Sequence, residues 1–160
     1  MKILLPDAKY TATLLGMLFD GLTVKPGARL DPASSAGAWC AVYVDDGGVP
    51  SAFCVCDIAF AANAGAALSM LPPGVAKDAI RERTLTDVMQ SNLHEVMNIC
   101  TRLVVRENAA HLRLNGVSPV AALPPDRAAL LKATRARVDF EIALAKYGPG
   151  HLAVLSSEGS

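Results

Sequence analysis

Aromatic residues are scarce in this 160-residue chain, at 5% with a single tryptophan, and there is no excess charge of either sign, since 15 acidic side chains balance 15 lysines and arginines. A chain without net charge sets up no field that would gather nucleic acid or an anionic membrane. Lys77, Arg81, Arg83, Arg135 and Arg137 have no aromatic residues interleaved with them and read as solvated side chains, not as a nucleic-acid surface. Long hydrophobic runs are missing too. The opening Met1 to Leu5 stretch is stopped by Pro6, short of a signal-peptide core or a membrane span, and the expectation is a cytosolic protein. There is no Gly-rich phosphate loop, nucleophile elbow or metal-protease motif. Cys40, Cys54, Cys56 and Cys100 lack the C-x-x-C knuckle spacing and have no histidine close by, so they read as reduced core thiols and no metal site is expected.

What is present is apolar: 52% of the chain, enough for a sizeable core and somewhat more than one domain of this length usually hides, which leans towards a homodimer. Residues 1–156 read as a single domain and 157–160 as a disordered tail. Asp7 is placed to cap a helix whose apolar side carries Tyr10, Leu14, Leu15, Leu18 and Phe19, ending near Asp20 and Gly21. Leu22 to Ser35 reads as a loop with room for one short strand, long enough to serve as a lid over a small molecule. Trp39 to Val44 and Ser51 to Asp57 flank Asp45-Asp46-Gly47-Gly48 and form a hairpin. The alanine-rich Ala59 to Leu71 is a closely packed helix, and Val75 to Arg83 a short helical connector.

Thr84 or Thr86 then caps a long helix expected to reach about Asn108. Leu112 to Val120 reads as a strand, followed by a loop rich in proline and alanine. Arg137 to Leu144 alternates, with Val138, Phe140, Ile142 and Leu144 inward and Arg137, Asp139 and Glu141 outward, and Tyr147 to Gly150 turns it back into a last strand from His151. The expected class is α+β, an antiparallel sheet with long helices packed on it. His111 and His151 have no partner identifiable in the sequence.

The long helix carries the chemistry. At about 100° per residue, Ser91, Glu95, Asn98 and Arg102 share one flank, while Met89, Leu93, Val96, Cys100 and Leu103 take the other. A carboxylate and a carboxamide three residues apart point the same way within one turn, so a partner meets both. A bare solvated helix face is the plain alternative for such a stripe.

Ser91 to Asn98 fits the pattern Ser or Asp, three residues, Glu, two residues, Asn, and in this it resembles the CheC and CheX family of chemotaxis phosphatases. The order of elements is similar as well: Gly47 to Asp57 looks like the second strand of that family's hairpin, Ile58 to Pro73 like its alanine-rich helix, Gly116 to Pro119 like the strand beyond the motif helix, and Arg137 to Leu155 like its closing hairpin. Two-site members repeat the Glu and Asn motif on the first helix, whereas Ala8 to Phe19 contains neither residue, so the resemblance is to the single-site, CheX-like arrangement.

That resemblance implies a homodimer acting on the aspartyl phosphate of a response-regulator receiver domain in chemotaxis or two-component signalling. It casts Asn98 as the catalytic residue that positions the attacking water, and Glu95 as its neighbour accepting from the regulator's lysine. Ser91 becomes a rim contact, His94 neighbours the site by helical spacing, and Arg102 either blocks docking or meets the phosphate or an acidic patch on the regulator; magnesium comes with the regulator, the chain having no cofactor of its own. One departure stands out. Members place glycine four residues after the motif asparagine, where this chain has Arg102. The flagellar switch proteins share the fold without its chemistry, so the competing expectation is a non-catalytic domain that binds a receiver or another signalling partner.

Overall fold

The six residues Trp39 to Val44 are all buried, as are six of the seven from Pro50 to Cys56, which makes these two interior strands of a sheet covered on both faces. The computed structural model describes residues 3–106 and 112–157. In chain order it contains β1 (Ile3–Leu4), α1 (Ala8–Leu15), β2 (Thr23–Pro26), β3 (Trp39–Val44), β4 (Pro50–Cys56), α2 (Ile58–Ala67), α3 (Pro73–Glu82) and α4 (Asp87–Ile99). A 3-10 turn over Cys100–Leu103 leads to β5 (Val105–Arg106), and β6 (Arg113–Pro119), α5 (Pro125–Lys132), β7 (Ala136–Leu144) and β8 (Gly148–Ser156) complete it. Six strands form one antiparallel sheet in the order β2-β7-β8-β4-β3-β6, and β1 pairs separately with β5. The α+β class with helices on an antiparallel sheet is what the sequence indicated.

One face of the sheet packs Trp39, Ala41, Tyr43, Cys54, Phe140, Ile142, Leu152 and Val154 against the main helices. The other presents Cys40, Val42, Val44, Phe53, Val55 and Leu155 to Leu131 of α5 and to the segment around Leu30. This second layer corrects two expectations. The stretch after β6 contains a helix, α5, because Pro124 and Pro125 stand where proline favours helix initiation and Ala-Ala-Leu-Leu-Lys follows. Arg137 is not a solvated side chain: 16% exposed, it pairs with Asp139 at 2.7 Å and donates to the Leu30 carbonyl at 2.8 Å.

Sheet and helices lock together at Asp57. Its Oδ1 caps α2 by accepting from the Phe60 N–H at 2.8 Å and also accepts from the His151 N–H at 3.0 Å, while Oδ2 lies 2.9 Å from His151 Nδ1. His151 therefore has a partner, the residue that ends β4 and starts α2. Gly150 allows β8 to pass under this junction, since a Cβ there would sit 2.5 Å from the Phe60 backbone. All four thiols are free and buried, and Cys40 lies across the sheet from Cys54 and Cys56, so the three cannot converge on one ion. Burial pushes the Cys40 and Cys56 thiols up, which keeps them protonated and inert. The expected tail lies outside the described residues from 158 onward, and Ser157 is bonded to the Ser51 carbonyl.

Candidate protein-docking site on the fourth helix

Four threads fix how α4 is rotated, and they decide which side chains it presents. Thr86 caps its start, accepting from the Met89 N–H at 3.3 Å, and Asp87 lies in the first turn, where the helix dipole favours an acid. Met89, Leu93, Val96 and Met97 are buried against the sheet and α2. Asn92 donates to the Gly65 carbonyl at 2.8 Å and the Ser69 hydroxyl at 2.7 Å, tying α4 to α2 along its flank. Gly65 permits that approach, because a Cβ there would meet the Met89 carbonyl oxygen at 2.9 Å. Near the other end, the buried Tyr43 hydroxyl donates to the Met97 carbonyl at 2.6 Å. Burial raises the Tyr43 pKa well above its ordinary value, so the phenol keeps the proton it donates.

With the rotation fixed, Ser91, His94, Glu95 and Asn98 are all exposed on the face turned away from the sheet. Among the described residues, no hydrogen bond or ion pair engages the side chains of Glu95 or Asn98. The two lie three residues apart, about 4.5 Å along the axis at 1.5 Å per residue. Arg102 is exposed but belongs to the 3-10 turn and not to α4. The expected run of the helix to Asn108 is thus corrected: α4 ends at Ile99, β5 begins at Val105, and Asn108 is outside the described residues. Because a 3-10 turn advances about 120° per residue instead of 100°, three such steps carry Arg102 roughly 60° from where an unbroken helix would hold it. Tyr10 of α1 fastens this turn, its hydroxyl donating to the Arg102 carbonyl at 3.3 Å.

Beside the turn, β1 and β5 place Leu4 opposite Val105, and these are 56% and 41% exposed. With Tyr10, which is also exposed, this apolar pair offers a surface that excludes water when covered. Neither Asn92 nor Tyr43 stood out as a positioning residue in the sequence. Asn92 sits within the motif and its spacing marks it as a flank residue, whereas nothing in the sequence around Tyr43 connects it to Met97. Among the described residues no group of three or more His, Cys, Asp or Glu side chains is close enough to hold a metal ion. None of the helices is long and apolar enough to cross a membrane, again among the described residues.

No protein-family model and no curated protein matches the sequence. Solved structures do match. FliM in the crystal structure of the FliM-SpeE complex from H. pylori superposes with a TM-score of 0.56 at 9% identity, over 93% of this chain and 78% of that one. FliY from Thermotoga maritima superposes at 0.53 and 13% identity, over 91% and 81%. The chain carries the fold of the FliM and FliY structures. CheX in its complex with CheY, BeF3 and magnesium from Borrelia burgdorferi superposes more loosely, at 0.44 and 8% identity over 95% and 99%. At such identities the likeness to FliM and FliY establishes the architecture alone.

Proposed function

We propose that α4 docks onto the receiver domain of a phosphorylated response regulator and that Asn98 promotes hydrolysis of its aspartyl phosphate. The observation that carries this reading is the exposed Glu95 and Asn98 pair, unpartnered among the described residues, on a helix whose rotation is fixed by Asn92 and Tyr43. Exposure alone suits any partner. The chemistry narrows the choice, because an acyl phosphate needs little more than a water held in line with phosphorus. The Asn98 carboxamide accepts one hydrogen bond from that water and donates another to a phosphoryl oxygen. Water oxygen bonds to phosphorus, the phosphorus–oxygen bond to the aspartyl carboxyl breaks, and the products are a free carboxylate and inorganic phosphate, which retains the water's oxygen. Glu95 accepts from the regulator's lysine and sets the register. Ser91, His94 and Arg102 surround the contact, and the apolar Leu4 and Val105 pair widens it.

Magnesium belongs to the regulator in this reading, since the stripe offers one carboxylate, one amide and one hydroxyl, too few donors for a dedicated site. The same reading makes the protein cytoplasmic, where receivers are found, and a homodimer, for which the exposed Met17 and Met70 side chains provide apolar surface. The test is to phosphorylate receiver domains of the host with a small phosphodonor and follow phosphate loss with and without the protein. Acceleration for one receiver supports the proposal, and none for any receiver ends it.

A second reading, a non-catalytic interaction domain, is favoured by Arg102, which puts a long cation where the resembling enzymes have glycine. H. pylori FliM, of the same fold, was crystallised in complex with SpeE. In that case a stable partner is captured, and substituting Asn98 changes binding but no turnover.

A further inference from the structure

Across the sheet from α4 lies a cavity of about 470 Å³, between the segment from Arg29 to Ala33 and α5. Its floor is apolar. Leu131 and Leu155 are buried, and Val120 and Ala128 are half-buried beside them. The wall opposite α5 is held by main-chain bonds: Asp139 accepts from the Leu30 N–H at 2.9 Å and Arg137 donates to the Leu30 carbonyl at 2.8 Å. The long loop is thus pinned at its middle by a half-buried ion pair, and the space beneath it is preformed.

The rim differs in character. Arg29 and Lys132 line it from opposite sides, both exposed, and among the described residues neither makes an ion pair or hydrogen bond. Asp31 is the one acid among the described lining residues, and its Oδ1 is engaged by the Ala33 N–H at 3.0 Å. Arg137, the third cation, is neutralised by Asp139. The charge left over is positive and sits at the mouth of an apolar hollow whose volume falls within the usual range for small-ligand sites, about 300–1,000 Å³. A neutral apolar molecule would leave both cations unused. A small hydrophilic anion would leave the Leu131 and Leu155 floor wet.

We propose that this cavity binds a small organic anion with an apolar body and one terminal carboxylate, the body on Leu131 and Leu155 and the carboxylate between Arg29 and Lys132. Fork-like pairing with the Arg29 guanidinium suits a carboxylate, and Lys132 adds a point charge. This site is independent of the α4 surface and stands or falls separately from it.

Decanoate is a suitable probe, with decanol and decylamine as neutral and cationic counterparts, in titration calorimetry with the whole chain. Decanoate is expected to bind, decylamine is not, and the Arg29→Ala, Lys132→Ala double variant should lose about tenfold in affinity together with most of the salt dependence. Both substituted residues are exposed, so the fold is expected to survive them. Ala128→Trp fills the hollow from α5 and should abolish binding while the free protein's melting temperature holds. Absence of decanoate binding below its micellar concentration overturns the proposal, as does equal affinity in wild type and double variant or equal binding of decylamine.

Discussion

The buried hydroxyl of Tyr43 donates a 2.6 Å hydrogen bond to the main-chain carbonyl of Met97, so strand β3 holds the peptide group from which Asn98 projects. Deleting that hydroxyl leaves a buried carbonyl short of a partner near a helix end, where main-chain acceptors already lack intrahelical donors. Tyr43→Phe should cost about 1–3 kcal/mol in urea unfolding. A change below the error of the measurement would mean that the bond is not structural. Asn98-dependent activity should fall by more than the small loss of folded protein explains.

Asp57 joins three elements, and its removal should be more damaging than the loss of an ordinary cap. Asp57→Ala abandons the Phe60 N–H, the His151 N–H and the His151 ring together. We expect a loss of about 2–4 kcal/mol, combining a helix cap with buried donors left unpaired. Asp57→Asn keeps an acceptor for the two N–H groups and should cost less. Equal melting temperatures for the two variants would contradict this division.

Lys25 and Glu141 pair across β2 and β7 at 2.9 Å, and the hydrogen bond from Lys25 holds the Glu141 carboxyl below its ordinary value of 4.5. A lowered folded-state pKa means the unfolded chain takes up the proton first, so the pair's contribution is present above that value and is lost as pH falls through the lowered one. The stability gap between wild type and Lys25→Met should therefore narrow as pH falls from the ordinary value of 4.5 through the lowered one, and narrow also with added salt, since the pair is on the surface. A gap that ignores both pH and salt would refute the linkage.

Arg102 stands off the stripe because the chain tightens into a 3-10 turn at Cys100. Placed at the rim, its charge should act on encounter: Arg102→Ala is expected to slow association with a receiver by about two- to fivefold, flatten its salt dependence, and leave the bound-state hydrolysis rate nearly unchanged. Stopped-flow binding combined with single-turnover hydrolysis separates the two effects. A large rise in hydrolysis would show instead that the arginine obstructs the site.

The hairpin of β3 and β4 was legible because its turn is written locally: Asp45 accepts from the Gly47 and Val49 N–H groups, both at 2.9 Å, and Gly48 completes the reversal. The start and buried face of α4 were legible for the same reason, in the Thr86 cap and the apolar period. Its end was not. Thr101, Arg102 and Leu103 continue a helix-compatible pattern, and what surrounds the break is tertiary, the Tyr43 and Tyr10 hydroxyls and the pairing of β5 with β1. The burial of Arg137 is not legible for a similar reason, since the carbonyl it binds lies 107 residues away, and His151 finds Asp57 across 94. In α5 the two prolines that mark a loop in one context open a helix in another. The Glu95 and Asn98 spacing is legible in the sequence, but that both stand free of partners among the described residues depends on the rotation of α4, which Asn92 and Tyr43 fix from outside the pattern.

The most direct test is Asn98→Ala in a single-turnover assay with a phosphorylated receiver, with binding measured in parallel. Asn98 is exposed and without a described partner, so the variant should fold and dock as wild type does. Phosphate release should drop to the receiver's own rate while affinity changes by less than about threefold, the signature of an interaction made in the transition state. Release at the wild-type rate from the Asn98→Ala complex would contradict the assignment of hydrolysis to this helix.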